Sequence, residues 1–370
     1  MKKSVCDACG SGNIYTVYTL PRIPAFQNKL FATAEAAQSA PVARVDLTAC
    51  SDCGFVFNAS FDDSLMDYDG DYQNAQDHSP TFQGYLDEVA DIIMAVAGNT
   101  DSIVEIGCGK GYFLEMLRAK GLKVKGFDPT YEGSNPDIVK AYFGPETAAG
   151  LTADIVIMRH TLEHIESPYA FLCGLKRILK SDCRIFIEIP RVEWIAEHKA
   201  FWDIFHEHCN YFSEGFFRKI FAQRCQITPV FSDQYMMVHA QIGDLVDSIP
   251  PSAQPDYRDM FSAEISKHKA AVEAGGKHYV WGAGAKGIAF ANILDPERKH
   301  IPVLVDINPR KQGHYISLTG HPCVAPESVD WPSLAANDCI WIMNHRYKDE
   351  IIAALPENLP CRLVTLGEDE

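Results

Sequence analysis

The stretch Val104-Glu105-Ile106-Gly107-Cys108-Gly109-Lys110-Gly111 decides the fold. An apolar strand runs into three alternating glycines, and Tyr112–Lys120 follows as a helix. Glycine there lets the backbone take left-handed dihedral angles and approach a ligand closely. Outward from this turn, strands and helices alternate. Ser102–Ile106, Val124–Phe127, Asp154–Met158 and Arg184–Ile189 read as strands, with a helix at Tyr169–Leu179. That alternation implies a parallel sheet covered by helices, an α/β fold. Gln226–Phe231 and Met237–Ile242 read as closing strands. Ahead of the unit, Phe82–Ala97 carries apolar residues at helical spacing and stops at Gly98-Asn99.

Three details select the ligand of the turn. Its spacing is Gly-x-Gly-x-Gly, not the Gly-x-Gly-x-x-Gly of dinucleotide sites. Glu105 precedes the first glycine, where a carboxylate suits a cationic ligand and not a pyrophosphate. Asp128 ends the next strand, placed to accept both hydroxyls of a ribose. S-adenosylmethionine (SAM), with an ammonium, a sulfonium and a ribose, satisfies all three. The plain alternative is a structural turn without ligand.

The 370 residues suggest two or three domains, and 47% hydrophobic with 22% charged residues is an ordinary globular composition. A formal net charge of −16 repels a phosphate backbone, so nucleic acid is not expected as a partner. The polar residues after Met1-Lys2-Lys3 do not resemble an export signal, and no apolar run reaches membrane-span length. A cytoplasmic, non-membrane protein with reduced thiols is the expectation.

Four of the twelve cysteines are paired as Cys6-x-x-Cys9 and Cys50-x-x-Cys53, each pair followed by glycine. Two such knuckles supply the four thiolates of a closed, structural zinc site. Coincidental cysteines or disulfides are the alternative.

Two histidine clusters follow core strands. His160-Thr-Leu-Glu163-His164 has the inverted zinc-protease spacing, but it sits directly after a sheet strand and shows no third ligand. His164 then points towards a transferred methyl or caps local structure. Phe205-His206-Glu207-His208-Cys209-Asn210-Tyr211-Phe212-Ser213 is either a hydrogen-bonded structural turn or an acid/base site. An extended segment places His206 and His208 on one face. A turn lets Glu207 orient His208.

After prolines at 250, 251 and 255, a helix is expected over Tyr257–Ala274, and a second α/β unit begins at Tyr279-Val280-Trp281. Its turn, Gly282-Ala-Gly284-Ala-Lys286-Gly287, has true dinucleotide spacing, with Asp306 ending a later strand. An NAD site is one reading. A Lys286 that meets an anionic group, such as a diphosphate, is the other.

The segment VEIGCGKG with FDP resembles the first two motifs of class I SAM-dependent methyltransferases. The resemblance implies that Glu105, Gly107, Cys108, Gly109 and Gly111 surround the cofactor with Asp128 and Pro129. Tyr142 and Phe143 fall where that family packs the adenine, and Arg159-His160 near the methionine end. The whole layout is similar to the nucleotide-sugar C-methyltransferases. This implies a zinc domain over 1–75, a Rossmann-like SAM domain over 76–250 and a C-terminal Rossmann-like α/β domain over 251–370. By the same likeness His208 is the general base and Glu207 its partner, with His164 and Tyr72 near a small-molecule acceptor, a nucleotide-linked keto-sugar. Phe205 departs from the tyrosine that precedes Glu-His in those enzymes. O- or N-methylation of another metabolite, or a non-enzymatic binding module, are the alternatives. Oligomeric state is left open.

Overall fold

The computed structural model describes residues 2–66, 78–98, 101–251 and 255–368. Its centre is a seven-stranded sheet. In spatial order the strands are Gln226–Val230, Tyr235–Gln241, Arg184–Pro190, Ile155–Arg159, Ser102–Ile106, Lys123–Phe127 and Ile138–Val139. The last five run parallel, and the first two close the edge antiparallel. Ile103–Ile106 and Ile155–Met158 are buried throughout, as strands covered by helices on both faces must be.

The chain leaves Ser102–Ile106 towards one edge and returns to build Ile155–Arg159 on its other side. The order therefore reverses between these two strands. In an open α/β sheet the crevice at that switch point, beyond the carboxyl ends, is where ligands bind.

Helix Pro80–Met94 starts two residues earlier than its apolar pattern predicts. Ser79 Oγ accepts from Phe82 N–H at 3.2 Å, and Pro80 suits the first turn. It stops at Met94, short of Ala97. Helix Ser262–Glu273 starts later than the predicted Tyr257. Tyr257 is instead buried in a shared core, and its backbone N–H donates to Tyr15 Oη at 3.1 Å.

The N-terminal unit pairs Ile14–Pro24 with Val42–Cys50 and the latter with Val56–Asn58. Its fourth strand, Asn210–Tyr211, comes from far along the chain and lies antiparallel to Val56–Asn58. The C-terminal unit is a five-stranded parallel sheet. Its order is Cys323–Val324, Leu304–Val305, His278–Trp281, Cys339–Ile342 and Arg362–Thr365. Leu30–Phe31 pairs with Tyr315–Ile316, stitching the first unit to the last. One apolar core runs through all three parts, from Val45 through Trp202 and Phe205 to Ile288 and Trp341. These cross-connections bring the histidine segment to the junction of the three units.

Among the described residues no helix is long and apolar enough to cross a membrane.

Candidate active site

The glycine turn lies at the switch point. Gly107, Gly109 and Gly111 all have positive φ, at 74°, 54° and 81°. A Cβ on Gly107 would lie 2.2 Å from Thr161 Oγ1, so no other residue fits between the strands. A Cβ on Gly109 would meet nothing within 4 Å. That glycine thus faces open space, as a ligand cradle does. Cys108 is different: its side chain is buried in the sheet–helix core beside Leu114, so only its backbone faces the turn.

Asp128 immediately follows its strand and is 8% exposed. Oδ2 accepts from Gly109 N–H at 2.8 Å, and Oδ1 from the N–H and Oγ1 of Thr130 at 2.8 and 2.6 Å. The carboxylate is clamped in place; Oδ2, which accepts one bond, retains a lone pair for a ribose hydroxyl, whereas Oδ1 already accepts two. Pro129 is half-buried beside it. Tyr142 and Phe143 part company. Phe143 packs edge-on against Phe127, with ring centroids 5.0 Å apart, whereas Tyr142 is 77% exposed.

Glu105 is 3% exposed, and its Oε2 has no hydrogen-bond partner among the described residues. Burial pushes its carboxyl up to about 7; Arg159 works against this, and Asp128 and Glu188 add to it. An orphaned buried carboxylate beside an open glycine cradle is complementary to a cation. The donor set fits the ammonium and sulfonium of SAM.

Arg159 ends the strand Ile155–Arg159, and it and His160, the next residue, converge on one carboxylate. Arg159 Nε lies 2.5 Å from Glu188 Oε2, and His160 Nε2 lies 3.0 Å from Glu188 Oε1. Tyr85 Oη donates to the same Oε1 at 2.6 Å, and His160 Nδ1 is 3.3 Å from Glu163 Oε1. The Arg159 guanidinium also lies over the Phe113 ring, 4.3 Å from its centroid. Burial alone would lower the His160 pKa; the Glu163 and Glu188 carboxylates outweigh it and raise it to about 9. For Glu188, burial raises the pKa, but Arg159 and His160 prevail and hold it well below the usual range. Glu188 was missed in the sequence, although a carboxylate inside the apolar strand Arg184–Pro190 is a readable signal. Tyr85 gave none.

The second histidine cluster splits. His206 is fully buried. Its Nδ1 lies 3.2 Å from Arg44 O and its Nε2 3.3 Å from Asp62 O, with the ring stacked on Phe61. It is a structural tie to the N-terminal unit and does not share a face with His208. Glu207 accepts a hydrogen bond from the backbone N–H of Gln27. His208 packs edge-on against Phe205 and His164, with centroids 4.7 and 4.9 Å away. Burial, then the nearby His164, His160 and Lys286, pull its pKa well below the ordinary value. The neighbouring Tyr211 hydroxyl bridges the backbone N–H and C=O of Phe205 at 3.0 and 3.1 Å, a structural use. Tyr72 lies outside the described residues.

Cys6, Cys9, Cys50 and Cys53 meet in one cluster, all four sulfurs within 4.8 Å of one another. Cys6 and Cys53 are 3.6 Å apart, as are Cys9 and Cys50. Sulfurs bonded to one zinc at about 2.3 Å lie roughly 3.8 Å apart in a tetrahedron, so the donor set fits zinc. Gly10 and Gly54 have φ of 74° and 79°, and their N–H groups donate to Cys6 O and Cys50 O at 2.9 Å. The two knuckles are thus built alike.

The C-terminal glycine turn is engaged from within. Asp306 Oδ2 accepts from Ala283 N–H at 2.9 Å, and Lys311 Nζ reaches Ala283 O at 3.0 Å. Lys286, expected to meet an anionic ligand, instead donates to Asp203 Oδ2 at 2.7 Å and Gln234 Oε1 at 2.9 Å.

This switch-point cradle on a seven-stranded sheet is the arrangement of a methyltransferase domain, and residues 81–224 match the family model described as "Methyltransferase domain". Residues 256–360 match the "C-methyltransferase C-terminal domain". The chain thus carries a methyltransferase domain followed by a C-methyltransferase C-terminal domain. It is 30% identical over 162 residues to the C-methyltransferase NovU of Streptomyces niveus, a match covering 40% of this chain and 38% of that protein. The chain thus spans well under half the length of that curated relative. Solved structures that align with it include magnesium protoporphyrin IX methyltransferase of Synechocystis PCC 6803 with bound SAH, at 19% identity. That alignment covers 44% of this chain and 83% of the other, with a TM-score of 0.34. An O-methyltransferase family protein of Burkholderia thailandensis aligns at 14% identity over 43% and 55%, with a TM-score of 0.32.

Proposed function

We propose that the protein transfers a methyl group from SAM to carbon of a nucleotide-linked keto-sugar, with His208 as general base. The observation that carries this reading is the setting of His208. It is a half-buried imidazole, with its pKa held below the ordinary value, against His164, where all three units of the chain meet. SAM supplies an electrophilic methyl on its sulfonium.

The residues divide the remaining work. Glu105 would face the cationic end of the cofactor, and Asp128 would hold the ribose. Gly109 leaves room for the cofactor between them. His208 takes the proton from the carbon beside the ketone, and the electron pair left behind forms the new carbon–carbon bond. SAM held there would supply the methyl and leave with the electron pair of its broken carbon–sulfur bond. Packing of His208 against Phe205 and His164 limits the water around it, and holding carbon, methyl and sulfur in line would supply much of the rate. Phe205 in place of a tyrosine leaves the acceptor oxygen without a phenol donor at that position. Zinc at the four cysteines closes the N-terminal unit, whose Gln27 fixes Glu207.

The test is solvent-hydrogen exchange at the α-carbon of a nucleotide-linked keto-sugar, measured without SAM turnover. Wild type exchanges; His208→Asn, still binding SAM, loses exchange and methyl transfer by about 10²–10⁴-fold. Full activity in His208→Asn sinks the reading. Absence of exchange in an active wild type points instead to an oxygen or nitrogen acceptor.

A further inference from the structure

The His-x-x-Glu-His segment does not assemble as its spacing suggests. His160 bridges two carboxylates, with Nε2 3.0 Å from Glu188 Oε1 and Nδ1 3.3 Å from Glu163 Oε1, and does not join His164. His208, from a distant loop, comes beside Glu163 and His164 instead. Ligand atoms of Glu163, His164 and His208 all lie within 4.8 Å of one another.

Two further observations concern Glu163. Its side chain is 1% exposed, and only Oε1 is engaged, 3.3 Å from His160 Nδ1. Its Oε2 is buried with no hydrogen-bond partner among the described residues. Leaving such an oxygen unmatched is costly, and a bound cation removes the cost. The turn Leu162–His164 is itself held: Cys209 Sγ lies 3.3 Å from Glu163 O, and His164 N–H donates to Thr161 O at 3.1 Å. His208 and Glu163 are therefore fixed against each other by the residue that follows His208.

We infer that Glu163, His164 and His208 form a second metal site, distinct from the four cysteines, that takes a divalent first-row transition metal. Two imidazoles and a carboxylate suit zinc, cobalt, manganese or iron and leave coordination positions open. Ligands bonded at about 2.1 Å lie roughly 3–4 Å apart, so small side-chain rotations close this trio on one ion. Occupation has a consequence for the reaction. A neutral imidazole has a single lone pair; once given to a metal, none remains to take a proton. Metal at this site and proton abstraction by His208 exclude each other. This second statement rests on the proposed role of His208; the existence of the site does not.

The experiment uses full-length protein with zinc retained at the four cysteines, titrated with Co²⁺. One further cobalt per chain binds, with the weak visible bands of a nitrogen and oxygen site and no thiolate charge transfer. Glu163→Gln and His208→Asn each weaken it by about tenfold or more. Glu163→Asp, which keeps the charge, retains part of the affinity and serves where the amide variant fails to fold. No further cobalt, or a further cobalt indifferent to these changes, overturns the site. Cobalt also suppresses α-hydrogen exchange of a nucleotide-linked keto-sugar in wild type. Undiminished exchange with the site filled overturns the exclusion. If His208→Asn remains catalytically active yet loses cobalt, the catalytic reading fails and the metal site stands.

Discussion

Lys286 Nζ lies 2.7 Å from Asp203 Oδ2, an ion pair between the C-terminal sheet unit and the loop that leads to His208. The two side chains are only 16% and 9% exposed, and the ammonium also lies over the Trp194 ring. Removing one partner strands the other. Lys286→Met therefore lowers stability by about 2–3 kcal/mol, below the full cost of a completely buried pair. Thermal unfolding reads this. The double variant with Asp203→Asn recovers part of the loss, because no unpaired charge remains. A double variant no more stable than Lys286→Met refutes the coupling.

His160 makes stability depend on pH. Its folded pKa of about 9 lies above the ordinary 6.5. A raised value means that the folded protein holds the proton more tightly. The stabilisation is present in full below about 6.5 and is lost as pH rises through 9. With the ring 31% exposed, solvent screening leaves roughly 2 kcal/mol. Urea unfolding from pH 6 to 9.5 should show this decline, and His160→Gln should flatten it. An unchanged slope in the variant rules His160 out as its source.

SAM affinity should follow the ionisation of Glu105. Its carboxyl titrates near 7 without ligand, and only the ionised form meets a cation. Binding measured by calorimetry weakens up to tenfold for each pH unit below about 7 and levels off above it. Glu105→Gln binds more weakly and loses this dependence. Asp128→Ala weakens binding at every pH, because it removes the clamp on Gly109 as well as the proposed ribose acceptor.

Chelating the metal of the four-cysteine site should reach beyond the N-terminal unit. Cys6, Cys50 and Cys53 share a core cluster with Phe55, Phe57, Phe212 and Phe216. Metal binding and folding of such a site are one free energy. Chelation, or Cys9→Ser, should expose the cluster to limited proteolysis and lower the unfolding temperature, with readdition of zinc restoring both. Unaltered proteolysis of metal-free protein would show that the cysteines do not hold the unit together.

Much of this molecule was legible in the residues because it is local. The glycines at 107, 109 and 111 need left-handed backbone wherever they occur, and alternating apolar runs state their own periodicity. The cysteine pairs with their trailing glycines likewise carry the knuckle geometry with them. Helix ends were less legible: Ser79 as cap and Tyr257 as core residue act through partners outside the apolar pattern.

The candidate site divides in the same way. The sequence by itself determined the α/β class, the cradle of Gly107 to Gly111 with Asp128, and the four sulfurs. Each is specified by backbone conformation or by spacing within a few residues. Only the tertiary structure decided which histidine does what. His206 and His208 are near-neighbours in the chain, yet one ties to Arg44 and Asp62 and the other packs on His164. Tertiary packing also joined Arg159, His160 and Tyr85 at Glu188, and it turned Lys286 to Asp203. The reason is physical: burial and charge pairing are properties of surroundings, and those surroundings come from segments scores of residues apart.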